Sequence, residues 1–121
     1  MRARILLVDD DPLVGKLFCT ALHQQGFDPY AVQSGTDALA YLDEHEVDLV
    51  ILDVMMADMS GISVVEQIRA RPALNDLPII VLSARVDTES RLRGLQAGAN
   101  EYLLKPITPA DLVEHIRSQL A

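Results

Sequence analysis

Apolar residues fall along the chain in two alternating rhythms. The first is the short strand-like stretch: Ile5 to Val8, Phe27 to Val32, about Asp48 to Leu52, Ile79 to Leu82, and Glu101 to Leu104. A run such as Val50-Ile51-Leu52 leaves no polar face, which predicts strands buried on both sides, as in a parallel sheet between helix layers. Pro29 cannot donate to a ladder and places the second strand at an edge. The second rhythm is helical. Leu13, Val14, Leu17, Phe18, Ala21 and Leu22 recur at helix spacing before a stop at Gly26. Ser34 is placed to cap a helix carrying Ala38, Leu39 and Leu42, and Ile62, Val65 and Ile68 share a face of a third that ends before Pro72. A fourth, Thr88 to Ala97, has Leu92 and Leu95 as its expected anchors and Gly94 in its middle, at a cost of ~1 kcal/mol relative to Ala. Thr108-Pro109-Ala110-Asp111 opens the last, whose Leu112, Val113, Ile116 and Leu120 are expected to face one way. Five strands alternate with five helices, without internal repeat or low-complexity linker. The pattern predicts one doubly wound α/β domain over residues 1–121.

Composition narrows what such a domain does. At 121 residues the chain is the size of one domain that buries a core without disulfides. No apolar run approaches the ~20 residues of a membrane span, and the first residues lead straight into a strand without a signal-peptide pattern, so a cytoplasmic protein that does not enter membranes is expected. A net charge of −8 with no basic patch argues against direct nucleic-acid binding. His23, His45 and His115 lie far apart without ligand spacing, and Cys19, the only cysteine, reads as small core filler.

One residue breaks the pattern. Asp53 closes the run Val50-Ile51-Leu52, where a carboxylate needs either solvent or partners. Right-handed crossovers put all strand C-termini on one sheet edge, where ligands of open α/β sheets bind. The residues that follow the strands are Asp9, Asp10 and Asp11 after the first, Asp53 after the third, Ser83 after the fourth and Lys105 after the fifth. Clustered carboxylates repel unless a proton or cation intervenes, and a hard divalent ion such as Mg²⁺ suits an all-oxygen site. With an ammonium and a hydroxyl beside it, the pocket has the makings of a phosphoryl-transfer site. The blander readings are acids that favour a helix N-terminus for Asp9 to Asp11, and an Asx-type turn for Asp53. Neither explains complementary groups at the other strand ends.

Four segments, Leu7-Val8-Asp9-Asp10-Asp11-Pro12, Leu52-Asp53-Val54-Met55-Met56 with Gly61, Leu82-Ser83-Ala84, and Gly98-Ala99-Asn100-Glu101-Tyr102-Leu103-Leu104-Lys105-Pro106, together resemble the receiver domain of two-component response regulators. The resemblance implies a flavodoxin-like sheet of order 2-1-3-4-5 and a signalling domain, not an enzyme acting on other substrates. It implies that Asp53 accepts a phosphoryl group from a phosphohistidine of a sensor histidine kinase or phosphotransfer protein. Asp10, Asp53 and the Met55 main-chain carbonyl would hold Mg²⁺, with Asp9 acting through water. Lys105 would contact the phosphoryl oxygens, and the Lys105-Pro106 bond is expected to be cis. Ser83 and Tyr102 match the switch pair, the hydroxyl moving to the phosphate and the ring turning inward behind it. Met55 and Arg85 would tune hydrolysis, their bulk slowing it. Two departures stand out: Ala57 where the family commonly has Pro, and Ser60 where it often has an acid.

The same resemblance makes the fourth helix, fifth strand and fifth helix the signalling face, acting on an output domain or effector protein. Arg91, Arg93, Glu101, Asp111 and Arg117 there read as alternating charges of a phosphorylation-dependent homodimer, or else as ordinary solvated surface. The last helical pattern runs to the final residues, so no effector domain is expected within the chain. Two rivals remain at this point. A haloacid-dehalogenase-type phosphohydrolase would use Asp9 as nucleophile with Asp11, Ser83 and Lys105, but leaves Asp53 unexplained and lacks an acidic pair after the lysine. A flavodoxin-like cofactor binder would need amides, not three acids, after the first strand.

Overall fold

The computed structural model describes residues 2–54, 56, 58–84 and 88–121. The elements run β1 (Arg4–Val8), α1 (Pro12–Gln24), β2 (Asp28–Val32), α2 (Gly35–Glu44), β3 (Leu49–Asp53), α3 (Gly61–Arg69), β4 (Ile79–Ser83), α4 (Thr88–Ala97), β5 (Glu101–Leu104) and α5 (Pro109–Leu120), with a single 3-10 turn at Pro72–Leu74. The strands pair in parallel as one sheet ordered β2-β1-β3-β4-β5. This is the doubly wound, flavodoxin-like order.

The period-2 alternation of the buried strands creates two cores. Leu6, Val8, Val50, Leu52, Ile79 and Val81 face α2 and α3, meeting Leu39, Leu42, Val64, Val65 and Ile68. Ile5, Leu7, Leu49, Ile51, Ile80 and Leu82 face α1 and α5, meeting Phe18, Leu22, Leu112, Val113 and Ile116. Each such side chain contributes roughly 1.5–3 kcal/mol by leaving water, so the central strands hold both layers. β2 is an edge strand. Asp28 N–H and the Val32 carbonyl point to β1, so by alternation Pro29 faces outward, where its missing N–H costs no ladder bond. Four helices begin on side-chain caps: Asp11, Ser34, Ser60 and Thr108 accept from the N–H of Leu13, Asp37, Ser63 and Asp111. Among the described residues no helix is long and apolar enough to cross a membrane.

Several helix faces differ from the expectation. In α1, Leu13 and Leu17 are 75% and 62% exposed, because Gly15, Phe18 and Leu22 form the buried stripe and the two leucines share a face beside it. In α4 the expected anchors Leu92 and Leu95 are exposed, and Ser90 and Gly94 face inward instead. The reason is steric: a Cβ on Gly94 would stand 3.0 Å from Cδ2 of Tyr102, so the glycine lets the helix lie close on that ring. Leu120 is exposed at the end of α5, and Val64 joins Val65 and Ile68 in the buried face of α3 while Ile62 is only half-buried. β2 starts one residue after the buried Phe27. β3 is shifted one residue later than expected: exposed Asp48 accepts from Arg4 N–H at 2.7 Å, and Asp53 is the last paired residue, opposite Leu82.

Candidate functional site

Sheet register assembles the site. Val8 lies beside Leu52 and Asp53 beside Leu82, so Asp9, the residue after Val8, comes level with Asp53. Ser83 lies beside Leu104, which leaves Lys105 one step beyond, its N–H bonded to the Ser83 carbonyl at 2.8 Å. Lys105 Nζ donates to Asp53 Oδ2 at 2.7 Å and to Asp9 Oδ2 at 3.2 Å. The Lys105-Pro106 bond is cis, as the resemblance implied. One carboxylate oxygen from each of Asp9, Asp10 and Asp53 falls within 4.8 Å of the other two. The side chains of Asp9 and Asp53 are only 7% and 11% exposed. Burial works against the charge on Lys105, but the hydrogen bond and charge of Asp53, with those of Asp9, outweigh it and hold the ammonium above its ordinary value.

The acids therefore divide. Asp11 is a helix cap: its Oδ1 accepts from Leu13 N–H at 2.9 Å, and its own N–H donates to Asp9 Oδ1 at 2.9 Å. Asp9 and Asp10 join Asp53, which turns the first acidic run into one capping residue and two site residues. Three carboxylates against one ammonium leave two formal negative charges in a half-dehydrated pocket. At about 4 Å two like charges repel by about 1 kcal/mol where water screens them fully and on the order of 4 kcal/mol under surface-like screening, so an oxygen-loving divalent cation matches both charge and donor set.

Ser83 is fully buried at the end of β4, and Tyr102 is buried in β5 with its ring beneath Gly94 of α4. Gly61 is required next to the site, since a Cβ would run into the Asp53 carbonyl oxygen and lie 2.7 Å from Val54 Cα. Ser60, a departure in the sequence comparison, has a purpose of its own as the cap of α3. Met55, expected to ligate metal through its carbonyl and with Arg85 to tune hydrolysis, and Ala57, one of the two departures from the family pattern, lie with Arg85 outside the described residues.

The matching family model is the response regulator receiver domain, over residues 5–117. The chain belongs to that family. It is 40% identical over 120 residues to the DNA-binding response regulator MtrA of Mycolicibacterium smegmatis, covering 99% of this chain and 51% of that protein. With the phosphate regulon transcriptional regulatory protein PhoB of Escherichia coli it shares 36% over 118 residues, covering 98% and 52%. The chain thus spans about half the length of these curated relatives. Among solved structures, a putative response regulator from Chloroflexus aurantiacus matches with TM-score 0.93 at 32% identity, covering 99% and 98% of the two chains. The chemotaxis response regulator CheY4 of Vibrio cholerae matches with TM-score 0.94 at 28% identity, covering 99% and 100%. Receivers act as phosphoryl acceptors in signalling, and the phosphohydrolase and flavin-binder readings are not favoured.

The charged residues of α4, β5 and α5 differ in their surroundings. Arg91, Arg93 and Asp111 are exposed. Both oxygens of Glu101 are engaged within the chain: Oε1 lies 2.8 Å from His115 Nδ1 and Oε2 accepts from Gln119 Nε2 at 2.9 Å. Arg117 lies over the Phe27 ring, 6.0 Å from its centroid. His23 and His45 are exposed, and burial pushes the Cys19 thiol up, so none of these joins the site. Sequence reading missed Asp58. Its carboxylate accepts from Gly35 N–H, Thr36 N–H and Thr36 Oγ1 across the chain, and no local spacing announces a partner 22 residues away.

Proposed function

We propose that residues 1–121 act as one receiver in which Asp53 takes a phosphoryl group from the phosphohistidine of a histidine kinase or phosphotransfer protein. A carboxylate oxygen of Asp53 attacks phosphorus, the P–N bond breaks, the imidazole leaves with the bonding pair, and an aspartyl phosphate forms. The observation that carries this reading is the Lys105 ammonium seated between Asp53 and Asp9 within a triad of carboxylates. Lys105 loses part of its grip on Asp53 as the new phosphoryl oxygens form and accepts them as partners instead, a preorganised charge for the transfer. Asp10, Asp53 and the Met55 carbonyl would hold Mg²⁺, with Asp9 behind a water. Bound there, the ion neutralises charge on the transferring phosphoryl group.

Ser83 and Tyr102 are the switch. The new dianion recruits the Ser83 hydroxyl, and the Tyr102 ring under α4 responds to the space that opens. The signal passes through α4, β5 and α5 to an output domain or effector, or to a second copy through Arg91, Arg93, Glu101, Asp111 and Arg117. An open apolar groove of about 360 Å³ lined by Val14, Phe18, Ala84, Lys105, Pro106 and Ile107 adjoins the site, and exposed Leu13 and Leu17 stand on the same α1 helix. The reading places the protein in the cytoplasm with its kinase, without contact to nucleic acid or membrane by this domain.

The decisive experiment is labelling with acetyl phosphate and Mg²⁺. Asp53→Asn is expected to abolish the alkali- and hydroxylamine-labile acyl phosphate while the fold and Mg²⁺ binding persist; an adduct on Asp9, or one retained in the variant, overturns the proposal. A chase of the same adduct reads the tuning by Met55 and Arg85: smaller side chains should shorten its lifetime, and an unchanged lifetime removes them from that role.

A further inference from the structure

We propose that Asp58, through Thr36 and Gly35, is a positioning residue that pins the loop after the phosphoacceptor to the start of α2 and thereby fixes Asp53 relative to Asp9 for metal and phosphoryl binding. The proposal rests on the reading of Asp53 as phosphoacceptor. Asp58 Oδ1 accepts from Gly35 N–H at 3.1 Å, and Oδ2 accepts from Thr36 N–H at 3.0 Å and Thr36 Oγ1 at 2.9 Å. These three donors hold the Asp58 carboxyl down to about 2.

Packing supports the same docking. A Cβ on Gly35 would stand 2.7 Å from Met59 Sδ and 2.7 Å from Val64 Cγ2, so the loop sits on α2 with no space for any other residue there. The contacts close a ring. Asp9 N–H donates to the Val32 carbonyl at 3.1 Å, and Val32 leads through the Ser34 cap to Gly35 and Thr36. Asp58 then carries the connection to Gly61, whose N–H returns to the Val54 carbonyl at 2.8 Å, next to Asp53. The strand ends bearing Asp9 and Asp53 are therefore joined twice, through the sheet and through this path.

The test uses the 121-residue chain with Asp58→Ala, Asp58→Asn and Thr36→Val. Three readouts are taken: the Mg²⁺ Kd by calorimetry, the maximal phosphorylation rate with acetyl phosphate at saturating Mg²⁺, and the melting temperature. Asp58→Ala should raise the Kd about fivefold or more and lower the maximal rate similarly. Asp58→Asn keeps one oxygen acceptor and should recover part of both, and Thr36→Val, which keeps its N–H, should lose less than Asp58→Ala. If the alanine variant does not fold, the other two carry the comparison. A lower melting temperature with Kd and rate within twofold of wild type in every folded variant would mean that Asp58 only holds the fold, and the proposal fails. Failure of the wild-type protein to be labelled on Asp53 sinks the underlying reading instead, an outcome the variants do not mimic.

Discussion

Asp10 is the site residue whose removal separates charge from structure. It is exposed, yet one of its oxygens falls within 4.8 Å of oxygens on Asp9 and Asp53, and Lys105 bonds only the latter two. With no cation bound it adds repulsion, and among the described residues it has no compensating contact. Asp10→Asn should therefore stabilise the metal-free protein by about 1 kcal/mol, the size of one well-solvated charge pair at this range, and should abolish the stabilisation that added Mg²⁺ gives wild type. Urea unfolding with and without Mg²⁺ checks both halves. A variant less stable than wild type without metal would mean that Asp10 holds the fold. Asp58 behaves oppositely, since its donors favour the charged form. Its carboxyl is held to about 2 against an ordinary 3.8, and Asp43, hydrogen-bonded to Arg71, is also lowered. A depressed carboxyl contributes stability that is complete above its unfolded value and is lost as pH falls through the folded one. Between pH 4 and 2, then, the urea midpoint of wild type should fall more steeply than that of Asp58→Asn; parallel curves would refute the assignment. Neither feature of Asp58 could be read from the chain, because its partners are backbone N–H groups of a distant helix start, and sequence shows side chains but not which orphan donors they meet.

Whole elements were legible wherever burial was two-sided or a cap was local. The runs at Val50 and Ile79 have no polar face to misassign, and Ser34 and Thr108 announce their helices three residues ahead of the N–H groups they cap. Faces were less legible where the sheet demanded a small residue. α4 has leucines at 92 and 95, and hydrophobicity alone turns them inward, but the helix lies on Tyr102 through Gly94 and leaves them outside. That inversion yields a measurable expectation. Gly94→Ala gains ~1 kcal/mol of helix propensity in isolation, yet its Cβ meets a buried ring at 3.0 Å. We expect no net gain in melting temperature, together with shifted Tyr102 ring resonances. A rise of several degrees with an unmoved ring would show that α4 has slack the geometry denies.

At the scale of the molecule, exposed leucines occur in two places. α1 carries exposed Leu13 and Leu17, and α4 with exposed Leu92 and Leu95 packs by the edge strand β5, where Leu104 is 46% exposed. The leucines of α4 and β5 belong to neither core, and apolar exposure of this kind is what a partner surface offers. A pairing of two copies across α4, β5 and α5 would draw its charge pairs from exposed Arg91 and Arg93 on α4 and exposed Asp111 on α5, because Glu101 is bonded to His115 and Gln119 and Arg117 lies over Phe27. With beryllium fluoride and Mg²⁺ as phosphoryl mimic, light scattering should show the mass rising toward twice that of one chain, and added salt should weaken the shift as surface charges are screened. Leu92→Arg removes apolar area and adds a third like charge to α4; it should label normally on Asp53 yet stay monomeric. Unchanged mass in the wild-type protein under the mimic would leave these leucines to an output domain or effector instead of a second copy.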